Sequence, residues 1–198
     1  MADIVEDPSD YAEVFHLSCN AIGHEGHPLA VHFVMFIPAL QAQADDEQKE
    51  KWLMPALSLQ LIGTYAQTEL GHGTNLRALE TTATFDKATD EFVIHTPTVT
   101  ALKWWPGNLG KSSNHAIVSA NLIIDGKAYG HHNFMVQIRE ENTHKPLKGN
   151  SYRPMIVANS EIELQELPSE ISVRKWPTML LTTDFWDSII IEFLEGIC

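Results

Sequence analysis

The sequence predicts an α+β chain: a helical segment over residues 1–60, an antiparallel β-barrel or sandwich over 61–149, and a divergent segment over 150–198. Three observations carry this reading. A strongly capped helix start lies at Asp45. A switch to Thr-rich alternation occurs near Leu61. Several short β-branched or aromatic runs then follow, separated by turn residues.

Taken in order, Pro28 to Phe36 is apolar and reads as a buried helix. Asp45-Asp46-Glu47-Gln48-Lys49-Glu50-Lys51-Trp52-Leu53 places an Asp cap and acids at a helix start and Lys further along, as the helix dipole favours. Pro55 closes this helix or opens the next turn. Glu80 to Phe85 and Phe92 to Ile94 are strand-like and flank the polar Asp86–Asp90, a hairpin pattern. Thr96 to Leu102, His115 to Leu122 and Asn133 to Ile138 read as further strands, with turns at Pro106-Gly107-Asn108 and Asp125-Gly126. From Ser151 onward no clean periodicity appears, and an unstructured tail and an added helix or strand both remain open.

Composition narrows the function classes. Formal net charge is −13, with 26 Asp and Glu against 13 Lys and Arg. A nucleic-acid partner is therefore not expected, since it needs a basic face. The two cysteines, Cys19 and Cys198, suggest neither a disulfide framework nor a redox pair. No apolar run reaches membrane-spanning length, and the N-terminus lacks the pattern of a signal peptide. The last residues, Glu195-Gly196-Ile197-Cys198, are not a Ser-Lys-Leu type address. The 10 histidines include His131-His132 and the pair His24 and His27, but no complete ligand set, so no metal site is expected. No nucleophile elbow, P-loop or dinucleotide fingerprint is present.

Two segments carry the chemistry. Tyr65-Ala66-Gln67-Thr68-Glu69-Leu70-Gly71-His72-Gly73-Thr74-Asn75 joins an apolar approach to a glycine-rich turn. Lys103-Trp104-Trp105-Pro106-Gly107-Asn108-Leu109-Gly110-Lys111 is a double tryptophan followed by a turn. With the Asp46–Pro55 helix, Leu79–Thr84, Ser113–Val118 and His144–Leu147, in this order and spacing, they resemble the acyl-CoA oxidase family of the acyl-CoA dehydrogenase superfamily, from about Pro28 to Gly149.

The resemblance implies FAD held between a middle β-domain and C-terminal helices. It implies oxidation across the Cα–Cβ bond of an acyl-CoA to a trans-2-enoyl-CoA, with O2 reduced to H2O2 in peroxisomal fatty acid β-oxidation. Full-length members are homodimers. Thr68 matches the threonine that bonds the flavin. An isolated Thr more often bonds its neighbours in a strand. Gly107 matches a second FAD contact, where a glycine admits a ligand to the backbone. An ordinary turn glycine is the alternative. Trp104 and Trp105 are expected to wall the isoalloxazine, one ring against the flavin and one in the core, although plain core packing is also open. Gly71, Gly73 and Thr74 would form the turn beside the thioester, or simply a tight loop. Glu69 is not the catalytic base, which in the family lies on a distant helix. No catalytic residue is assigned here.

The resemblance fades after Gly149, so the chain reads as a truncated or splice-variant form without the family's C-terminal helical domain. An FAD-dependent oxidase, a catalytically silent binding or interaction module, and a non-functional fragment are the alternatives. Retained flavin would favour the first.

Overall fold

In a computed structural model of the chain, the described residues are 17, 20–21, 28–147, 151–157, 160–166 and 171–174. Most of residues 1–27, the first part of the segment expected to be helical over 1–60, lies outside them. Helix α1 comprises a π-helical turn, His32–Phe36, running into Ile37–Gln43. Helix α2 comprises Asp46–Gln48, a second π-helical turn Lys49–Leu53, and Met54–Leu57. The Asp45 cap is present as a reciprocal capping box: Asp45 Oδ1 accepts from Gln48 N at 2.8 Å, and Gln48 Oε1 accepts from Asp45 N at 3.2 Å.

Each π turn ends two residues before a proline, Pro38 and Pro55. A proline inside a helix lacks an N–H and drives its ring toward the carbonyl four residues back. The wider turns, closed from Ile37 N to His32 O and from Met54 N to Lys49 O, let both helices continue through. Pro55 thus neither ends α2 nor begins a loop. The Pro28–Phe36 segment is not wholly buried: His32 and Phe36 are, while Val34 and Met35 are exposed.

The main sheet contains β1 (Gly63–Ala66), β2 (Thr82–Asp86), β3 (Glu91–His95), β4 (His115–Ile124) and β5 (Lys127–Gln137). Strands β6 (Ser151–Val157) and β7 (Ser160–Glu166) form a separate antiparallel pair, and β8 (Ile171–Arg174) pairs with β3. The expected hairpin is present, with Phe85 opposite Phe92. Strand β4 pairs with β5 through the two-residue turn Asp125-Gly126, both at positive φ (53° and 75°), as a tight hairpin turn of this kind requires.

Two expectations are corrected. The sheet is mixed rather than antiparallel: β1 and β2 both run parallel to β4. Thr96 to Leu102 is not a strand. Pro97 removes a ladder donor, and the Thr98 and Thr100 hydroxyls turn to Glu80. Ala101 N then bonds Thr98 O at 3.2 Å, closing a turn.

Two cores flank β4. Ala116, Val118, Ala120, Leu122 and Ile124 join Phe85, Phe92, Ile94 and Phe134 on one face. Ile117 and Met135 meet Phe36, Ile37, Leu40, Trp52 and Leu53 of the helices on the other. Burial on both faces explains why β4 reads as a nearly continuous apolar run. His32 ties helix to sheet: its Nδ1 accepts from Gly63 N at 3.0 Å, and its Nε2 lies 3.1 Å from Ala56 O. Only a neutral ring with its proton on Nε2 satisfies both contacts.

Candidate functional site

The candidate site forms where the chain leaves β1. Tyr65 and Gln67 stand two residues apart and line one cavity with Thr68, Trp104, Trp105, Pro106, Gly107, Val31 at the N-cap of α1 and Met35 within it. The two segments singled out in the sequence are therefore brought together. Short rungs hold them side by side: Trp104 N donates to Thr68 O (2.8 Å), Leu70 N to Leu102 O (2.8 Å) and Gly71 N to Thr100 O (2.9 Å). Among the described residues, the Thr68 hydroxyl has no hydrogen-bond partner. A hydroxyl at a cavity wall is thus available to a ligand. The cavity, about 120 Å³, is partly open to solvent. Enclosing ligand pockets run to roughly 300–1,000 Å³. The surface is a wall against which a planar ring can lie.

The tryptophans depart from expectation. Neither ring lies in the core: Trp104 is half-buried and Trp105 is 65% exposed. Trp105 also has φ 52°, and Asn108 φ 70°, left-handed values that a bulky residue such as Trp105 adopts only under constraint. The turn aims the Trp105 indole outward at the cavity rim.

Gly107 has a structural duty of its own. A Cβ there would sit 2.7 Å from Val31 Cγ2. Its carbonyl accepts from Thr64 Oγ1 at 2.5 Å, fastening the turn to β1. The missing side chain thus allows α1 to close over the turn. Gly71, Gly73 and Thr74 do not line the cavity and are exposed. Gly71 packs so closely on Thr100 that a Cβ would approach its Cβ to 2.8 Å, whereas Gly73 faces open space.

Glu69 is 1% exposed and faces inward. Its carboxylate accepts from Glu80 N (2.8 Å), Thr81 N (3.0 Å), Thr81 Oγ1 (2.6 Å) and Lys103 Nζ (3.0 Å). So fully committed a carboxylate is not poised to abstract a proton. Lys103 is fully buried; burial lowers its pKa to about 8 against the pull of Glu69. Its ammonium also donates to Gln67 O (3.1 Å) and Ser119 O (2.7 Å). At the outer edge, Glu80 accepts from Thr98 and Thr100 and pairs with His72 at 2.8 Å. The Thr98 hydroxyl first, then His72 and Thr100, hold the Glu80 carboxyl down at about 2. On the far side, the buried Arg139 donates to the carbonyls of Leu109, Ser113 and Gly110, anchoring the end of the tryptophan turn.

Sequence reasoning missed Lys103 and Arg139. The signal for Lys103 was its place directly before the paired tryptophans; nothing marked Arg139. Among the described residues no group of three or more His, Cys, Asp or Glu could hold a metal, and no helix is long and apolar enough to cross a membrane.

An α+β frame thus places Thr68, Trp104, Trp105 and Gly107 on one cavity. The sequence profile described as acyl-coenzyme A oxidase N-terminal matches residues 2–62. The acyl-coenzyme A oxidase acox-1.1 of Caenorhabditis elegans is 63% identical over 149 residues, covering 75% of this chain and 22% of that protein. Human peroxisomal acyl-coenzyme A oxidase 1 is 62% identical over 122 residues, covering 62% of this chain and 18% of that protein. Among solved structures, C. elegans acyl-CoA oxidase-1 complexed with FAD and ATP has a TM-score of 0.77 at 54% identity, covering 85% of this chain and 26% of that one. C. elegans acyl-CoA oxidase-2, bound with FAD, ascaroside-CoA and ATP, has a TM-score of 0.80 at 51% identity, covering 89% and 27%. Over the matched residues the chain belongs to the acyl-CoA oxidase family. It spans about a fifth of the length of the curated relatives it matches.

Proposed function

We propose that this chain supplies one wall of the flavin site of an FAD-dependent acyl-CoA oxidase, acting on acyl-CoA and O2 in peroxisomal fatty acid β-oxidation. The observation that carries this reading is the meeting of Thr68 with Trp104, Trp105 and Gly107 on one cavity. The residues fit the cofactor: an unpartnered hydroxyl suits a polar ring edge, and indoles suit a planar face. When bound, FAD would supply hydride acceptance and the route of electrons to O2. The chain's own work is orientation. Thr68 would hold the ring edge, the indoles its face, and the Gly107 turn its approach. Residues 61–149 would form the family's β-domain, a barrel or sandwich completed beyond the strands described, with residues 1–60 as its helical flank. Gly71, Gly73 and Thr74, on the outer turn, would meet the acyl-CoA. The acyl-CoA oxidase-2 bound with FAD and ascaroside-CoA, 51% identical, supports FAD and an acyl-CoA as the ligands. The relatives named peroxisomal support that location.

A second reading has its own support. Among the described residues, none that lines the cavity is a carboxylate, and on that observation the 198-residue polypeptide would act as a binding module without turnover. A positioned base contributes about 10²–10⁴ in rate. The test is an FAD titration of the purified polypeptide followed by flavin fluorescence, with peroxide measured after adding a long-chain acyl-CoA. Saturable binding weakened about tenfold by Thr68→Ala is expected, since a hydrogen bond of ordinary strength is worth about 1 kcal/mol or slightly more. Binding indifferent to Thr68→Ala and Trp104→Ala would remove the cofactor reading. Peroxide release well above a free-flavin control, abolished by Glu69→Gln, would reverse the assignment of Glu69.

A further inference from the structure

We propose that Lys103 is a positioning residue for the cofactor wall, its buried ammonium fixing the register between the Thr68 segment and the Trp104–Gly107 turn. The inference rests on the flavin reading of the cavity but is carried by a separate set of contacts. Lysine is among the residues least often fully buried, yet Lys103 has no exposed surface. All three of its donors are used, on Gln67 O, Glu69 Oε1 and Ser119 O. Those acceptors tie together two pieces of the fold directly, the 67–69 segment leaving β1 and strand β4, and a third through Glu69. Gln67 lines the cavity, Ser119 is in the middle of β4, and Glu69 is itself fastened to the backbone and hydroxyl of Thr81 just before β2.

The next residue after Lys103 is Trp104, whose N–H bonds Thr68 O. Any drift of the ammonium therefore moves the aromatic wall relative to the Thr68 hydroxyl. An apolar pair of similar volume would serve stability as well as a buried ion pair often does. What it would lack is direction: three bonds at fixed angles specify one register, and apolar contact specifies none. The same pair explains why Glu69, beside the cavity in sequence, has no catalytic freedom.

The experiment uses the full 198-residue chain and three variants: Lys103→Met, Glu69→Gln, and the neutral pair Lys103→Gln with Glu69→Gln. Two quantities are read: FAD affinity, and amide hydrogen exchange at Leu70 and Trp104, with the β2–β3 hairpin as internal control. Lys103→Met should raise exchange at Leu70 and Trp104 selectively and weaken FAD about tenfold, the scale of a lost charged hydrogen bond. The neutral pair, able to bond amide to amide, should recover most of both relative to Glu69→Gln. Exchange rising equally across the hairpin would show general destabilisation and overturn the positioning role. So would unchanged affinity and unchanged exchange. If Lys103→Met does not fold, recovery by the neutral pair over Glu69→Gln supports the role and its failure overturns it. If the wild-type chain binds no FAD while exchange behaves as expected, the cofactor reading fails and the clamp stands.

Discussion

Gly63 offers a sharp test of how helix and sheet are locked beneath the cavity. A Cβ added there would lie closer than 3.0 Å to several carbons of the Phe36 ring, a distance real Cβ atoms essentially never show. Phe36 cannot retreat easily. It is fully buried in the helix–sheet core and stacked on His32 at 5.6 Å. Gly63→Ala must therefore shift either the ring or β1. Overpacking of this kind costs about 1–3 kcal/mol. Movement of β1 also strains the bond from Gly63 N to His32 Nδ1, and a buried donor left unpaired costs about 1–3 kcal/mol more. A total near 3 kcal/mol would lower the midpoint by about 6–12 °C for a chain of this size. Thermal and urea unfolding of Gly63→Ala, Phe36→Leu and the double variant supply the assay. The double variant should be more stable than additivity predicts by at least about 1 kcal/mol, because the smaller side chain vacates the clash. A single variant within about 0.5 kcal/mol of wild type, or strictly additive effects, would refute the reasoning.

Three further outcomes are expected. Gly107→Ala should weaken flavin binding by pressing on Val31 at the cavity edge, and Val31→Ala should restore it; equilibrium dialysis with FAD measures both. Stability should fall as pH drops from about 6.5 to about 4. His115, its pKa lowered to about 4 chiefly by burial and then by Lys51, stays neutral in the fold while the unfolded chain takes a proton in that window. At about 1.36 kcal/mol per unit this is about 3 kcal/mol, present above 6.5 and lost as pH falls. His32, lowered by burial, acts in the same direction. Urea midpoints between pH 7 and pH 4 should show a weaker slope in His115→Gln. Arg139→Met leaves the buried carbonyls of Leu109, Ser113 and Gly110 without their donor, and should cost about 3 kcal/mol or more in denaturant unfolding.

What the sequence made legible was local. The Asp45 cap, the Phe85–Phe92 hairpin, the Asp125-Gly126 turn and the apolar run of β4 each follow from neighbours in the chain, and each is present. What escaped was non-local. The direction of β1 against β4 depends on a connection that passes through both loops of the site, and alternation within a strand does not encode it. Thr96 to Leu102 has the β-branched content of a strand, but Glu80 recruits two of its hydroxyls. Lys103 acquires its role only from Glu69, Gln67 and Ser119, residues distant in sequence that surround it in the fold. Within the site, family motifs located Thr68 and the tryptophan turn; only coordinates revealed that Gly107 makes room for Val31 and that Trp105 faces out.

The strained turn and the buried ions belong to one device. Trp105 and Asn108 hold left-handed backbone angles, a conformation of order 1–3 kcal/mol above the alternatives that persists only where the surroundings fix it. The surroundings here fix it from both ends. Before the turn, Lys103 is bonded to the 67–69 segment and to β4, and Trp104 N to Thr68 O. Within it, Gly107 O is held by Thr64 of β1. After it, Leu109 is fully buried and Arg139 grips three carbonyls. Between these anchors stands an exposed indole at the rim of the cavity. A solvent-facing tryptophan contributes little to its own fold, and under the flavin reading proposed above the constraint would serve the presentation of the ring. Two buried cations thereby fix the ends of the turn that carries the aromatic surface on which, under the proposed reading, a planar ligand would rest.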